Sequence, residues 1–448
     1  MYRPMKRLNT MIVLTVFWIT ALGIIELSAQ NAWTLEECID YALENNINIK
    51  RQKIAAEQAE NDHQQSKWAM APALSARGYH SFNFGKTINP DTYEYVNQQF
   101  QTQSLQANAD INLFDGLENH HTRKMRRYDL LAQLENIEKA RYNVTLHIVT
   151  YYLNVLSKAE QKKIKQDQLD VTLDQIEKTK EQVEIGNKAK GDLLEIKAQA
   201  ARERVELTNA QNELKMAYVN LAQLMNLDQT ETFKIVMPDD MHIQIQKPIF
   251  PADSIYNQGI KTFPAIQYAE YQFKSSQKYL DIMEGRLLPS FSLGTVYYTY
   301  FSNLSASPYE EQIKDINPNL NLRLTLSIPI FDRMNKYTQI ANASLRVKDS
   351  RYQLKEQKQV FFKTIQKAAN EAEAAYEDYQ ANLESVEWNA EAFKYTKEKF
   401  NVGLVDAVEY KIAKNELARA RSNVVNAKFN YIFRMKILEF YSGQKMEL

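Results

Sequence analysis

The residues from Asn335 to Phe400 contain neither proline nor glycine, and their apolar positions keep a seven-residue beat: Ile365, Ala372, Tyr379, Val386 and Phe393, interleaved with Ala369, Tyr376, Leu383 and Ala390. A heptad seam of this kind predicts a coiled-coil helix. At about 1.5 Å per residue it makes a rod of roughly 100 Å, longer than one globular core can cover. The same frame occurs twice. Sliding the sequence by 217 positions lays Pro72 on Pro289, Phe114-Asp115 on Phe331-Asp332 and Gly186 on Gly403, with no gap between them. Such a register indicates duplication of one unit.

Each copy reads, in order, as a medium helix, a hairpin of two strands, a very long helix, a short turn and a return helix. The first repeat is expected over 30–226, with its hairpin at about 72–115 and its long helix from about Leu117 to Glu184. The second is expected over 252–448, with a hairpin at about 289–332 and a long helix over about 334–400. Between them, residues 227–251 hold Pro238, Pro248 and Pro251 and short β-like pieces such as Phe233–Val236 and His242–Gln246, and are expected to pack around the middle of the helical body.

The opening helix of the first copy is expected from Trp33 to about Met70, with Thr34 and Glu37 forming a capping box and Pro72 ending it. Its counterpart is expected from Asp253 to Leu288. After each the period changes to two. Leu105, Ala107, Ala109, Ile111 and Leu113 alternate with polar residues, as do Leu320, Leu322, Leu324, Leu326, Ile328 and Ile330. The partner runs, 74–84 and 291–301, are rich in aromatics. Dyad alternation with aromatics near the ends describes a strand with lipid on one side and water on the other. A soluble half-buried sheet gives the same alternation. The export signal and the lack of any globular body around the hairpins favour the membrane. Polar loops are expected at about 85–103 and 302–318.

Known single-chain barrels begin at about eight strands, so four strands per chain must be completed by other copies. Arg3, Lys6 and Arg7 precede an apolar run from Met11 to Ile25, and small residues near Ala29 offer a cleavage point, so residues 1–29 read as a secretory signal peptide. Lys+Arg and Asp+Glu balance at 55 each, which gives no basis for a nucleic-acid partner. The single cysteine, Cys38, sits at a helical core position, so it forms no disulfide within the chain. His120 and His121 are adjacent on a helix and point about 100 degrees apart, which argues against a metal site. No cofactor is expected, and no catalytic constellation stands out.

At the corners NLFDGLENHH and IPIFDRMNKY, Phe114-Asp115 and Phe331-Asp332 mark the change from strand to helix, with the aspartates expected as N-caps. At the far ends, IGNKAKGDLLEIK and NVGLVDAVEYKIAK turn the chain back, with Gly186 and Gly403 as helix terminators.

Together the opening WTLEECIDYALENN, the Pro-led hairpins, the Phe-Asp corners and the VGL turn with an acid six residues beyond its glycine resemble the TolC-like outer-membrane efflux protein family over essentially the whole mature length. The resemblance implies a mainly α fold with a transmembrane β part. In such a fold, coiled-coil hairpins form an α-barrel joined to a β-barrel completed by three chains. It implies no enzyme activity but a passive channel across the outer membrane and periplasm, energised by an inner-membrane transporter of RND or ABC type. A periplasmic adaptor (membrane fusion protein) is implied to dock at the tips. That contact carries over to Val402, Gly403 and Leu404, and to Ile185, Gly186 and Asn187, although the first turn departs from the pattern with Asn187-Lys188 after its glycine. The resemblance also implies an acidic constriction near the tip, matched by Glu409. Its second acidic position falls on Ile412, and the first-repeat equivalents are Asp192 and Glu195. No lipid anchor is expected, since Cys38 lies inside the first helix. A pore-less periplasmic coiled-coil adaptor or scaffold remains the alternative.

Overall fold

The computed structural model describes residues 32–227, 233–237, 247 and 251–443. Two 67-residue helices, α3 (Glu118–Glu184) and α7 (Asn335–Asn401), set the length of the molecule. Each ends in a glycine turn and returns as a helix about half as long, α4 (Lys190–Met225) and α8 (Ala407–Tyr441). Beside the strand-proximal halves of the long helices lie α2 (Ile47–Trp68) and α6 (Pro264–Gly285), with α6 packed between α3 and α7. Two short helices, α1 (Leu35–Asn45) and α5 (Ala252–Gly259), precede them.

The opening helices are therefore broken, where single helices were expected. Thr34 and Glu37 form the capping box at the start of α1. The helix then stops at Asn46, whose extended backbone ends α1 while its side chain accepts from Asn48 N and caps α2. The break is fixed from far away in sequence. Asn46 Nδ2 donates to Leu224 O at 2.9 Å, and Ile47 N donates to Asn226 Oδ1 at 3.0 Å. In the second repeat Pro264 starts α6 as its first residue and interrupts the run expected over Asp253–Leu288.

The main core lies midway along the rods. It joins Leu35, Cys38 and Ile39 of α1 to Ile148, Tyr152 and Leu156 of α3, Leu221 and Met225 of α4, and Ile432 of α8. Cys38 is fully buried, and burial pushes its thiol up to about 12. Phe233 and Ile235 of the inter-repeat segment enter this core, where Ile235 forms a single parallel bridge to Trp33 and not a strand. Tyr152 Oη donates to Val236 O at 3.2 Å and ties the segment to the middle of α3. His242–Gln246 lie outside the described residues.

The strands β1 (Ala73–Ile88), β2 (Tyr95–Phe114), β3 (Ser290–Ser302) and β4 (Asn319–Ser327) form one antiparallel sheet in sequence order. Most of the loop expected at 85–103 is strand. The pairing continues to Ile88↔Tyr95 because both strands run on well past their apolar stretch. The second connection keeps a loop, with a short helical segment at Tyr309–Glu311, and Asp91 of the first loop accepts from Ser305 Oγ to bind the two together. Ile328–Ile330 leave β4 as exposed chain.

At both corners the aspartates cap from two residues farther out than expected. Leu117 and Met334 occupy the N-cap positions with left-handed φ of 68° and 66°, and their side chains cap nothing. Asp115 Oδ2 accepts from Asn119 N at 3.1 Å, and Asp332 Oδ2 from Lys336 N at 2.9 Å, so each carboxylate still serves the first turn. Gly116 and Arg333 precede them at φ 67° and 59°. Two consecutive left-handed residues swing the chain from sheet into rod in both repeats.

Candidate functional site

Two regions are placed where a solute or a partner could meet them: the helical tips and the sheet. At the tips each long helix closes in the same hydrogen-bonded turn. Asn187 N reaches Gln182 O at 2.8 Å and Leu404 N reaches Lys399 O at 2.9 Å, with Gly186 and Gly403 at φ 82° and 80°. This six-residue closure needs a left-handed residue, which glycine adopts without a Cβ penalty. It pushes large apolar side chains outward. Ile185 is 71% exposed, Val402 72% and Leu404 74%, with Asn187 exposed beside them.

The return helices start differently. Asp406 caps α8, its Oδ1 accepting from Val408 N at 3.0 Å and Glu409 N at 2.9 Å, whereas Ala189 at the same place in the first repeat caps nothing. Glu409 and Ile412 lie one turn apart, both exposed, and Glu409 is in no ion pair among the described residues. Asp192 is half-buried in the first turn of α4. Near it Lys188 lies over the Phe400 ring, and burial lowers its pKa to about 8 against the attraction of Asp192.

Glu195 has a different environment from its first-repeat companion. Its carboxylate accepts from Lys411 Nζ at 2.9 Å and lies 3.5 Å from Arg202, which joins α4 to α8. The hydrogen bond and charge of Lys411 hold Glu195 below the usual carboxylate range. A carboxylate with a depressed folded pKa contributes stability above its unfolded value and loses it as pH falls through the folded one. Beneath this pair Ile196, Phe400, Ala407 and Tyr410 form a small tip core. Tyr410 is buried, and burial pushes its phenol up to about 12.

One turn farther from the tip is a cluster that sequence reasoning missed. Lys414 and Glu203 form a salt bridge at 2.9 Å with side chains only 4% and 1% exposed. Lys414 Nζ also donates to Gln168 O at 2.7 Å and to Thr172 Oγ1; Thr172 and Gln199 donate to Glu203. The network joins α3 and α4 of the first hairpin to α8 of the second. Burial lowers the Lys414 pKa and Glu203 opposes that. The available signal was a charge at seam phase: Lys414 lies between Tyr410 and Leu417, and Glu203 between Ala200 and Leu207, all buried.

The sheet has two chemically distinct faces. Directly paired residues share a face, so Ala109, Thr295 and Leu322 line one side, and Leu293 and Leu324 continue it. On β4 the row Leu320, Leu322, Leu324, Leu326 is 63–73% exposed, and every residue of that strand is exposed. The outer edges of β1 and β4 have no partner strand among the described residues.

At the corners, Phe114 and Phe331 are exposed, at 41% and 79%. His121 Nδ1 lies 3.3 Å from Asp281, with burial lowering its pKa. Among the described residues no group of three or more His, Cys, Asp or Glu side chains is placed to hold a metal ion, and no helix is long and apolar enough to cross a membrane.

A family model described as outer membrane efflux protein matches residues 38–227 and 255–443. The two matched segments begin 217 positions apart, the offset of the internal repeat. No curated protein sequence matches the chain. Among solved structures, the fold is similar to the CmeC outer membrane channel of Campylobacter jejuni, with TM-score 0.78 at 17% identity, covering 91% of this chain and 85% of that one. It is also similar to a membrane protein from Pseudomonas aeruginosa, with TM-score 0.77 at 15% identity over 92% and 90%. The outer membrane protein VceC of Vibrio cholerae is similar too, with TM-score 0.75 at 14% identity over 92% and 97%.

Proposed function

The chain belongs to the outer membrane efflux protein family, and from that premise we propose that three copies form one passive duct, gated at its periplasmic tips and energised by an inner-membrane transporter. Members of this family are transport proteins of the Gram-negative outer membrane, and this chain is an efflux channel protein there. The pore-less scaffold reading falls with that membership. No residue of the chain is assigned to catalysis.

The observation that carries the trimer is the open sheet. A four-stranded sheet with two free edges and an exposed leucine row cannot stay in lipid, because unpaired backbone groups there cost several kcal/mol each. Pairing β4 of one copy with β1 of the next closes twelve strands from three chains. The protein mass of the detergent-extracted particle tests this: three mature chains agree, and a single chain sinks the shared barrel. Leu324 on β4 faces lipid in this arrangement, so Leu324→Arg is expected to cost about 2–4 kcal/mol. Lost heat-resistant trimer on gels is the readout. Wild-type resistance would place that face away from lipid.

At the tips, the exposed Ile185, Val402 and Leu404 beside Gly186, Asn187 and Gly403 fit an apolar contact with the periplasmic adaptor. Glu409 and Ile412 form the constriction, three copies of the carboxylate making a ring that attracts cations above an apolar collar. Asp192 lies beside Lys188. Glu195 is engaged by Lys411 and serves as the tie between α4 and α8, in place of a ring position. In planar bilayers, Glu409→Gln is expected to reduce cation preference severalfold; unchanged selectivity and opening would remove Glu409 from the constriction.

A further inference from the structure

The strands contain few charges, and their placement is specific. Asp110 is the charged residue of β2, Arg323 that of β4, β3 has none, and β1 has Arg77 with Lys86 nine residues nearer the loop. Arg77, Asp110 and Arg323 all sit on the face opposite the leucine row. The register pairs Asp110 with Gly294 and Gly294 with Arg323, so the carboxylate and the guanidinium flank one glycine at one level of the sheet. Arg77 pairs with Gln106, which pairs with Tyr298, four residues farther toward the β1–β2 loop. That is about 14 Å along the strand at roughly 3.4 Å per residue.

Gly294 is occupied by its neighbour. A Cβ there would fall 2.8 Å from Asp110 Oδ1, so the carboxylate lies over the bare backbone of β3. With strands about 4.8 Å apart, Asp110 and Arg323 are roughly 10 Å apart at their backbones, within reach of an extended arginine across that gap. Among the described residues Arg77 has no acidic neighbour at its own level. Its Nη1 donates to Tyr79 Oη at 3.0 Å, two residues on along the same face.

We infer that the three copies of Arg77 form an unpaired cationic ring in the barrel lumen, which makes the barrel favour anionic solutes, while Asp110 and Arg323 screen one another across Gly294. This rests on the trimeric-channel reading. It gives the duct opposite charge preferences at its two ends: the Glu409 carboxylates favour cations at the tip, and the Arg77 guanidinium groups favour anions on the barrel side. A lumen of twelve strands is wide, so the ring acts on solutes at its centre only where screening is weak. The Debye length is about 30 Å at ~0.01 M salt and about 3 Å at ~1 M.

The test is the reversal potential of the reconstituted channel under a KCl gradient, in a Glu409→Gln background so that the tip ring in series does not mask the barrel. Arg77→Gln is expected to raise the K+/Cl− permeability ratio about twofold at ~0.01 M salt, with the shift gone at ~1 M. Arg77→Lys keeps the parent ratio. Asp110→Asn frees Arg323 and moves the ratio the opposite way from Arg77→Gln. An unchanged ratio in Arg77→Gln at low salt, or a shift of Asp110→Asn in the same direction as Arg77→Gln, overturns the ring. Conductance with unshifted selectivity defeats the ring alone, whereas absence of conductance in the parent protein defeats the channel reading beneath it.

Discussion

Glu203→Ala is expected to destabilise the folded protein by about 3–5 kcal/mol, because it strands the Lys414 ammonium in an interior it shares with Gln168 and Thr172. The pair itself is a weak source of net stability. Taking both charges out of water offsets most of their attraction, and a well-packed apolar pair of similar volume is often as stable. Glu203→Leu combined with Lys414→Met should therefore recover most of the loss. Thermal melting of the detergent-solubilised protein gives the comparison. Single and double variants that melt like wild type would mean that the cluster is hydrated and carries no buried charge. What the pair supplies is register. Glu203 is on α4 and Lys414 on α8, and a slip of one residue between those helices would bury both charges unpaired.

Gly116→Ala is expected to be at least as damaging. A Cβ on Gly116 would lie 2.1 Å from Gly285 O, and one on Gly285 would lie 2.4 Å from Gly116 O, so the two backbones interlock. Neither is a flexible side-chain tip that could move aside. Gly116 also holds φ at 67°, which adds about 1–2 kcal/mol for any L side chain. Beside the interlock Arg286 Nη2 donates to Glu118 Oε1 at 2.6 Å, and Lys336 Nζ donates to Arg286 O at 2.8 Å, so α3, α6 and α7 meet at this corner. The combined effect is expected to exceed about 4 kcal/mol and to abolish folded protein in the outer membrane. Gly186→Ala is the control. It shares the positive φ but has nothing within 4 Å of its Cβ, so only the backbone cost of about 1–2 kcal/mol remains. Equal losses in the two variants would show that φ alone, and not the approach of α6, governs the corner.

Much of the tip geometry was legible from short spacings. Gly186 and Gly403 end their helices because a left-handed residue is needed there, and Glu409 falls on the first turn of the return helix by simple counting. The partner of Glu195 was not legible. Lys411 is 216 positions away, and nothing local distinguishes a carboxylate lining a pore from one tied to a neighbouring helix. The break at Asn46 was hidden for the same reason: its neighbours keep helical period, and the groups that hold it open, Leu224 O and Asn226, belong to another helix end.

By itself the sequence determined the two long rods, their turns, the alternating strands and the duplication, because helical period, strand alternation and backbone φ preference act between residues a few positions apart. The tertiary structure alone decided which seams meet and at what register: Gly116 against Gly285, Asn46 against Asn226, Glu203 against Lys414, and Asp110 over Gly294. Those pairings depend on desolvation and steric fit between groups brought together only when the helices and strands pack, and these quantities have no period along the chain.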